Sequence, residues 1–437
     1  MEAVRVGLLG LGTVGSGTVD VLARNADEIA RRAGRAIRVS RAAARSLDKS
    51  RNCDLSGIEL TADAMQVATA PDVDVVAELI GGTAQARELV MAAIEHGKHV
   101  VTANKALIAL HGNEVFEHAR AHGVTVAFES AVAGGIPIIK ALREGLAGNR
   151  IEWLAGIING TGNYILTEMR SAGRDYADVL AEAQALGYAE ADPTFDVEGI
   201  DAAHKLTILA SIAFGHPLQF EKVYTEGISR LTIDDLHYAA ELGYRIKHLG
   251  IAQRGESGIE MRVHPTLVPE RRLLANVDGV LNAVLVQGDA VGPTLYYGAG
   301  AGAEPTASAV VADLVDVVRM LNGDPGHRVP YLAFQPDALS DLPVVRMEEV
   351  ETAYYLRMLV EDRPGVLADI STILSREGIS IEAVVQREAR GESHVHLVML
   401  IHRVQEGRMN AALAGIEALP AIEGSVMRIR VESLGAD

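Results

Sequence analysis

VRVGLLGLGTVG, residues 4–15, decides the fold of this chain. Val4 to Leu9 form an apolar run of strand length, and Gly10, Gly12 and Gly15 follow as G-x-G-x-x-G, with a helix expected through about Ala33. In this context of strand, turn and helix, the glycines permit a tight turn, close approach of a pyrophosphate, and close packing of helix on strand. The helix start then points its unpaired N–H groups at the phosphates. Gly10, Gly12, Thr13, Val14 and Gly15 are therefore expected against a dinucleotide.

A second strand, IRVSRAAA, leads to Arg45. Sites selective for NAD carry an acidic residue at this strand end, to hold the ribose 2′-hydroxyl. Here the tip reads ARSLDKSR, with Arg45, Lys49 and Arg51. Cations suit a 2′-phosphate, so NADP(H) is expected over NAD(H), with a solvated basic loop as the competing reading. Further alternation follows: VDVVAEL, then a helix through His96, HVVTA, then a helix, and VTVAFES. Such alternation gives a doubly wound parallel sheet of the Rossmann type. Ligands lie at the carboxyl ends of its strands, where Gly81 to Thr83, Ala103 to Lys105 and Glu129 to Pro137 fall.

The stretch AQALGYAEADPTFDVEGIDAAHK, 183–205, sets Glu190, Asp192, Asp196, Glu198, Asp201 and Lys205 before LTILASIAF, which is apolar on every side. A helix apolar all round is buried, so the charges at its mouth must be paired or put to use. Asp201 and Lys205 share one helix face at i,i+4, and the plain reading is an ordinary ion pair.

The 437 residues suggest two or three domains. A hydrophobic share of 49% fits a globular protein, and the net charge of −18 argues against nucleic acid or an anionic membrane as partner. No apolar run reaches the roughly 18–20 residues that cross a bilayer. The first residues enter a strand without a signal-peptide pattern, and Cys53 is the single cysteine. A cytoplasmic protein is expected. Cys53 lies in the polar loop RNCDLSG, against a thiol-dependent aldehyde dehydrogenase. Residues 151–303 lose the clean parallel repeat and suggest a sheet covered by helices. GAGAGAEPTAS, 298–308, enters the helix ASAVVADLVDVVRML, expected to pack back on the first domain, and 322–347 reads as a linker. From YYLRMLVED onward the order is βαββαβ, a ferredoxin-like unit. Pro364 stands near its first helix start and Gly378 after that helix's end.

At this point the residues carry a family resemblance. GKHVVTANKALIA (97–109), FESAVAGGIPII (128–139), GIINGTGNYIL (156–166) and the 183–205 stretch resemble the signatures of homoserine dehydrogenases with a C-terminal ACT regulatory domain. Gly162 departs from the threonine common in the family, in NGT-x-NYIL. The resemblance implies three parts. These are a Rossmann domain at 1–150, completed by about 304–345, an α+β catalytic and dimerisation domain at 151–303, and an ACT domain at 351–437. The implied reaction is the reversible NAD(P)-linked interconversion of L-aspartate 4-semialdehyde and L-homoserine, on the route to threonine, methionine and isoleucine. The resemblance gives Lys205 the role of proton donor and acceptor, with Lys105 close by and Asp201 orienting Lys205. Glu190 and Asp196 hold the substrate's ammonium group, and Gly187 and Gly302 line the cofactor and substrate cleft. A monovalent cation, sodium, is implied at Glu129 and the carbonyls of Val132, Gly134 and Ile136. DRPGVLADIS, 362–371, resembles the turn at which ACT domains bind amino acids. Asp362, Pro364, Gly365, Val366 and Leu367 are the implied effector residues, L-threonine the effector, and a homodimer or homotetramer the assembly. A non-enzymatic nucleotide sensor would need neither the carboxylate–lysine cluster nor the middle domain.

Overall fold

The computed structural model describes residues 2–321, 323–324, 328–386 and 393–435. In chain order the first elements are β1 (Val4–Leu9), α1 (Thr13–Arg24), α2 (Ala26–Ala33), β2 (Ile37–Ala43), β3 (Glu59–Thr61), α3 (Ala64–Ala68), β4 (Val75–Glu78), α4 (Ala84–Glu95), β5 (His99–Thr102), α5 (Lys105–Ala121), β6 (Val126–Ala127) and α6 (Ile138–Lys140). Next come β7 (Ile151–Ile157), α7 (Gly160–Ala172), α8 (Tyr176–Ala185), α9 (Thr194–Val197), α10 (Ile200–Phe214), β8 (Tyr224–Thr225), α11 (Ile233–Glu241), β9 (Tyr244–Arg254), β10 (Ile259–Pro269), β11 (Leu281–Gly288), β12 (Gly292–Ala299) and α12 (Ala303–Met320). The last are β13 (Glu351–Glu361), α13 (Val366–Arg376), β14 (Ile381–Gln386), β15 (His394–Gln405), α14 (Glu406–Glu417) and β16 (Ile422–Val431). They gather into two compact units. The first holds Met1–Leu154, Asp201–Val223 and Val280–Leu342; the second holds Ala155–Ile200, Tyr224–Gly279 and Pro343–Asp437.

In the first unit, among the described residues, a six-stranded sheet runs in the order β3-β2-β1-β4-β5-β6 with parallel pairing. The order reverses between β1 and β4, and the crevice at their carboxyl ends is where such sheets take a ligand. Val4, Val6, Leu8 and Leu9 are fully buried, as a strand covered on both faces requires. Ala307, Val310, Leu314 and Val317 of α12 join the same core, so this late helix packs on the first sheet as expected. It begins at Ala303, earlier than its apolar pattern, and tolerates Pro305 because a first-turn N–H has no helical acceptor. The helix expected through Ala33 is two helices. Asn25 ends α1 and begins α2, since a short polar side chain favours helix ends over helix interiors. VTVAFES pairs only at Val126 and Ala127. Beyond them the Glu129 N–H donates to Asp313 Oδ2 at 2.8 Å, drawing the chain out of the sheet. α10 is buried at every residue from Asp201 to Phe214 except Lys205.

In the second unit β9 and β10 pair antiparallel along their length. β13 lies between β16 and β15, antiparallel to both, with β14 at the edge. β13-α13-β14-β15-α14-β16 is thus the expected βαββαβ order. β16 also pairs with β10 in parallel, Thr266 beside Arg430 and Leu267 beside Val431. At that junction Arg430, with no exposed surface, donates to Glu406 Oε2 (2.9 Å), Glu226 Oε2 (2.8 Å) and Tyr224 Oη (3.1 Å). Arg357 donates to both oxygens of buried Asp235 at 2.7 and 2.9 Å. Buried guanidinium groups are tolerated when carboxylates and further hydrogen bonds arrive with them.

Candidate active site

The turn after β1 is built as its glycines require. Gly10 has φ +105, and a Cβ on it would stand 2.9 Å from the Leu79 carbonyl oxygen. A Cβ on Gly15 would stand 2.1 Å from the Gly10 carbonyl oxygen, so no other residue fits there. Gly12 caps α1 without a side chain, and Thr13, Val14 and Gly15 open the helix with no acidic residue in the first turn. Their N–H groups are left for an anion. Gly302 opens α12. The next residue's carbonyl lies 2.6 Å from where a Cβ on Gly17 would stand, so Gly302 belongs to the α1 end of the crevice. Arg45 is exposed beyond β2 and makes no hydrogen bond or ion pair with another described residue. Arg51, read as a second phosphate cation, is spent on backbone carbonyls: Leu11 (3.3 Å), Lys49 (2.8 Å), Leu47 (3.4 Å) and Ser46 (2.5 Å). These residues fit a dinucleotide.

Lys105 is the first residue of α5, just past the carboxyl end of β5, and Asn104 caps that helix by accepting the Leu107 N–H at 3.0 Å. Asp201, in the first turn of α10, is 3% exposed. Its Oδ2 accepts from Lys205 Nζ at 2.6 Å, and its Oδ1 stands 3.1 Å from Lys105 Nζ. One buried carboxylate thus bridges two ammonium groups from different helices. The Lys205 side chain is 12% exposed and that of Lys105 35%, so both reach open space. His204, the residue before Lys205 in α10, feels both lysines; its burial pushes its pKa down to about 4 and keeps it neutral.

Glu129 is buried beside the crevice. Its oxygens accept the N–H groups of Ile139 and Lys140, each at 2.9 Å. Burial and the nearby Asp313 raise its pKa to about 7. Lys140 pairs with Asp316 at 2.5 Å and lies 3.8 Å from Asp313. The Ile136 carbonyl accepts the Ile138 N–H at 2.8 Å, whereas those of Val132 and Gly134 accept no hydrogen bond among the described residues. A buried carboxylate and nearby buried carbonyls that accept no hydrogen bond among the described residues are oxygen donors of the kind a hard cation takes. Among the described residues no group of three His, Cys, Asp or Glu side chains could hold a metal ion.

The second unit carries the other acidic residues. Asp196 Oδ1 accepts from Asn159 Nδ2 at 2.8 Å, and Asn159 Oδ1 caps α7 by accepting the Gly162 N–H at 2.7 Å. Asn159, within the GIINGTGNYIL segment, is the residue that holds Asp196. Gly187 (φ +76) shapes the turn after α8, whose Tyr188 carbonyl accepts from Thr161 Oγ1 at 2.6 Å. Glu190 is exposed three residues on. In the last βαββαβ part, Asp362 to Gly365 form an exposed turn into α13. Gly365 stands at the N-cap with φ +99, Val366 is buried and Leu367 is 43% exposed.

A parallel sheet in this strand order, a glycine turn at its switch point and a carboxylate bridging two lysines at the same edge define a dinucleotide-dependent oxidoreductase. The family profiles agree: "Homoserine dehydrogenase, NAD binding domain" matches residues 10–129, "Homoserine dehydrogenase" 137–315 and "ACT domain" 354–421. A homoserine dehydrogenase of Pseudomonas aeruginosa is 67% identical over 99% of this chain and 100% of its own length. The crystal structure of one from Thiobacillus denitrificans is 67% identical, with a TM-score of 0.95 over 99% of both chains. A hyperthermophilic archaeal homoserine dehydrogenase in complex with NADPH is 25% identical, with a TM-score of 0.61 over 72% of this chain and 98% of its own. The chain belongs to the homoserine dehydrogenase family and carries an ACT domain. No helix among the described residues is long and apolar enough to cross a membrane.

Proposed function

We propose that the chain interconverts L-aspartate 4-semialdehyde and L-homoserine with NADP(H) in preference to NAD(H), in the cytoplasm, on the route to threonine, methionine and isoleucine. The observation that carries this reading is the Asp201 carboxylate bridging Lys105 and Lys205. The nicotinamide, when bound, supplies or takes the hydride. Lys205 Nζ gives its proton to the aldehyde oxygen as negative charge develops there, and takes it back in the reverse direction. Asp201 keeps Lys205 charged and aimed, and Lys105 adds a second positive charge beside the same oxygen. Glu190 and Asp196 receive the substrate's ammonium group. Gly10, Gly12, Thr13, Val14 and Gly15 take the pyrophosphate, with Gly187 and Gly302 along the cleft and Lys105 also against the cofactor. Arg45, exposed and unspent, takes the 2′-phosphate; the NADPH complex of the archaeal relative supports that preference. Glu129 with the carbonyls of Val132, Gly134 and Ile136 takes a monovalent cation, sodium. The turn of Asp362, Pro364, Gly365, Val366 and Leu367 takes an amino-acid effector, L-threonine, and the protein assembles as a homodimer or homotetramer.

The test is NADPH oxidation with L-aspartate 4-semialdehyde. Lys205→Ala should lower kcat by about 10²–10⁴-fold and leave NADPH binding intact. Near-normal turnover in that variant, or none in the parent, overturns the reading.

A further inference from the structure

Glu78 is the last residue of β4, at the switch point of the first sheet, and it is fully buried. Its carboxylate meets hydrogen-bond donors from two turns at the crevice. From its own turn, Oε1 accepts the N–H groups of Ile80 (2.9 Å) and Gly81 (3.3 Å). From the turn after β5, Oε2 accepts from Thr102 Oγ1 at 2.7 Å. The same hydroxyl accepts the Asn104 N–H at 3.0 Å, and Asn104 Nδ2 donates to the Gly82 carbonyl at 2.6 Å. Asn104 in turn caps α5 at the residue before Lys105. Among the described residues no cation balances this carboxylate. Burial raises its pKa, while the hydrogen bonds from Thr102, Ile80 and Gly81 oppose that shift. A buried acid satisfied wholly by neutral donors is costly, and a glutamine could not accept from all of them, because half of its head is itself a donor.

We propose that Glu78 is a positioning residue for the reaction. It locks the Ile80–Gly82 and Thr102–Asn104 turns together at the cofactor crevice and thereby fixes the start of α5, so that Lys105 Nζ meets Asp201. This rests on the reading of Lys105 as part of the reacting cluster. Glu78 acts through Lys105 and touches neither substrate nor the reacting atoms.

A plain packing role would cost stability and leave the lysine's contribution alone. A positioning role makes the effects of Glu78 and Lys105 non-additive. The experiment is a double-mutant cycle on the full chain, with kcat and KM for L-aspartate 4-semialdehyde and a melting curve for each variant. Glu78→Gln should lower kcat roughly tenfold, the scale of one charge-assisted hydrogen bond. KM should move less, and in the Lys105→Ala background the same change should lower kcat no further. Thr102→Val, which removes the shared hydroxyl at constant shape, is the second variant and should follow the same pattern should Glu78→Gln fold poorly. Normal kcat in both variants, or equal factors with and without Lys105, overturns the proposal. Normal kcat in Lys105→Ala alone overturns instead the reading of Lys105 on which it rests.

Discussion

Replacing Asp201 with asparagine tests the cluster's electrostatics. Asp201 presents one oxygen 2.6 Å from Lys205 Nζ and the other 3.1 Å from Lys105 Nζ, at 5% side-chain exposure. Asparagine keeps the shape, offers one acceptor in place of two and removes the charge. A hydrogen bond to a charged group contributes about 1.5–3 kcal/mol, or about tenfold to a hundredfold in an equilibrium. The carboxylate favours the ammonium form of Lys205, so its loss favours the neutral amine. In the reduction direction the lysine must arrive protonated, and the rate falls as pH rises past its pKa. The measurement is kcat for semialdehyde reduction across pH at saturating NADPH. In Asp201→Asn the alkaline limb should move to lower pH. The plateau should drop by less than the roughly 10²–10⁴-fold expected when the donor itself is removed. An unshifted limb would refute the coupling, whatever the plateau did.

Arg45→Ala should cut the preference for NADPH by about tenfold to a hundredfold while sparing NADH kinetics; equal losses with both cofactors refute the 2′-phosphate contact. Asp362→Ala should leave kcat unchanged and raise the L-threonine concentration for half-inhibition about tenfold, a coupling loss of roughly 1.4 kcal/mol; unchanged inhibition places the effector elsewhere. Gly162→Ser should raise the melting temperature, because His248 Nδ1 is buried without a hydrogen-bond partner among the described residues and lies 3.6 Å from where the new Cβ would stand. A helical glycine costs about 0.5–1 kcal/mol and pairing the nitrogen adds about 1 kcal/mol. The Asn159 side chain, 3.3 Å from that Cβ, must yield slightly, and a lower melting temperature means it cannot. Burial holds the pKa of His99 at about 4, whereas in the unfolded chain it is about 6.5. The folded state therefore loses stability as pH falls through that window, by about 1.4 kcal/mol per unit. His99→Gln should flatten the fall in melting temperature relative to the parent, a comparison in which the opposite pull of Glu129 and Asp313 cancels; parallel curves refute it.

What the sequence made legible was local. G-x-G-x-x-G after an apolar strand, the i,i+4 pair Asp201–Lys205, and a helix apolar on every side are patterns within one turn or one element, and the fold kept each of them. Asp201's second partner is of another kind. Lys105 is distant in the chain; its place past a strand's carboxyl end put it at the ligand crevice, and the family resemblance put it beside Lys205. Glu78 escaped because it closes the apolar run VDVVAEL, where a carboxylate reads as the wet end of a strand; its donors come from Ile80, Gly81 and Thr102. SVMRIRV misleads in the same way. Arginine at every second place is the pattern of a strand with one face in water, yet Arg430 has no exposed surface. Glu406 at the start of α14, with Tyr224 and Glu226 from the stretch before α11, closes over that face. Periodicity reports which residues share a face. Whether that face meets water depends on distant segments, and burying a guanidinium there is tolerable only because two carboxylates are brought to it from elsewhere in the chain.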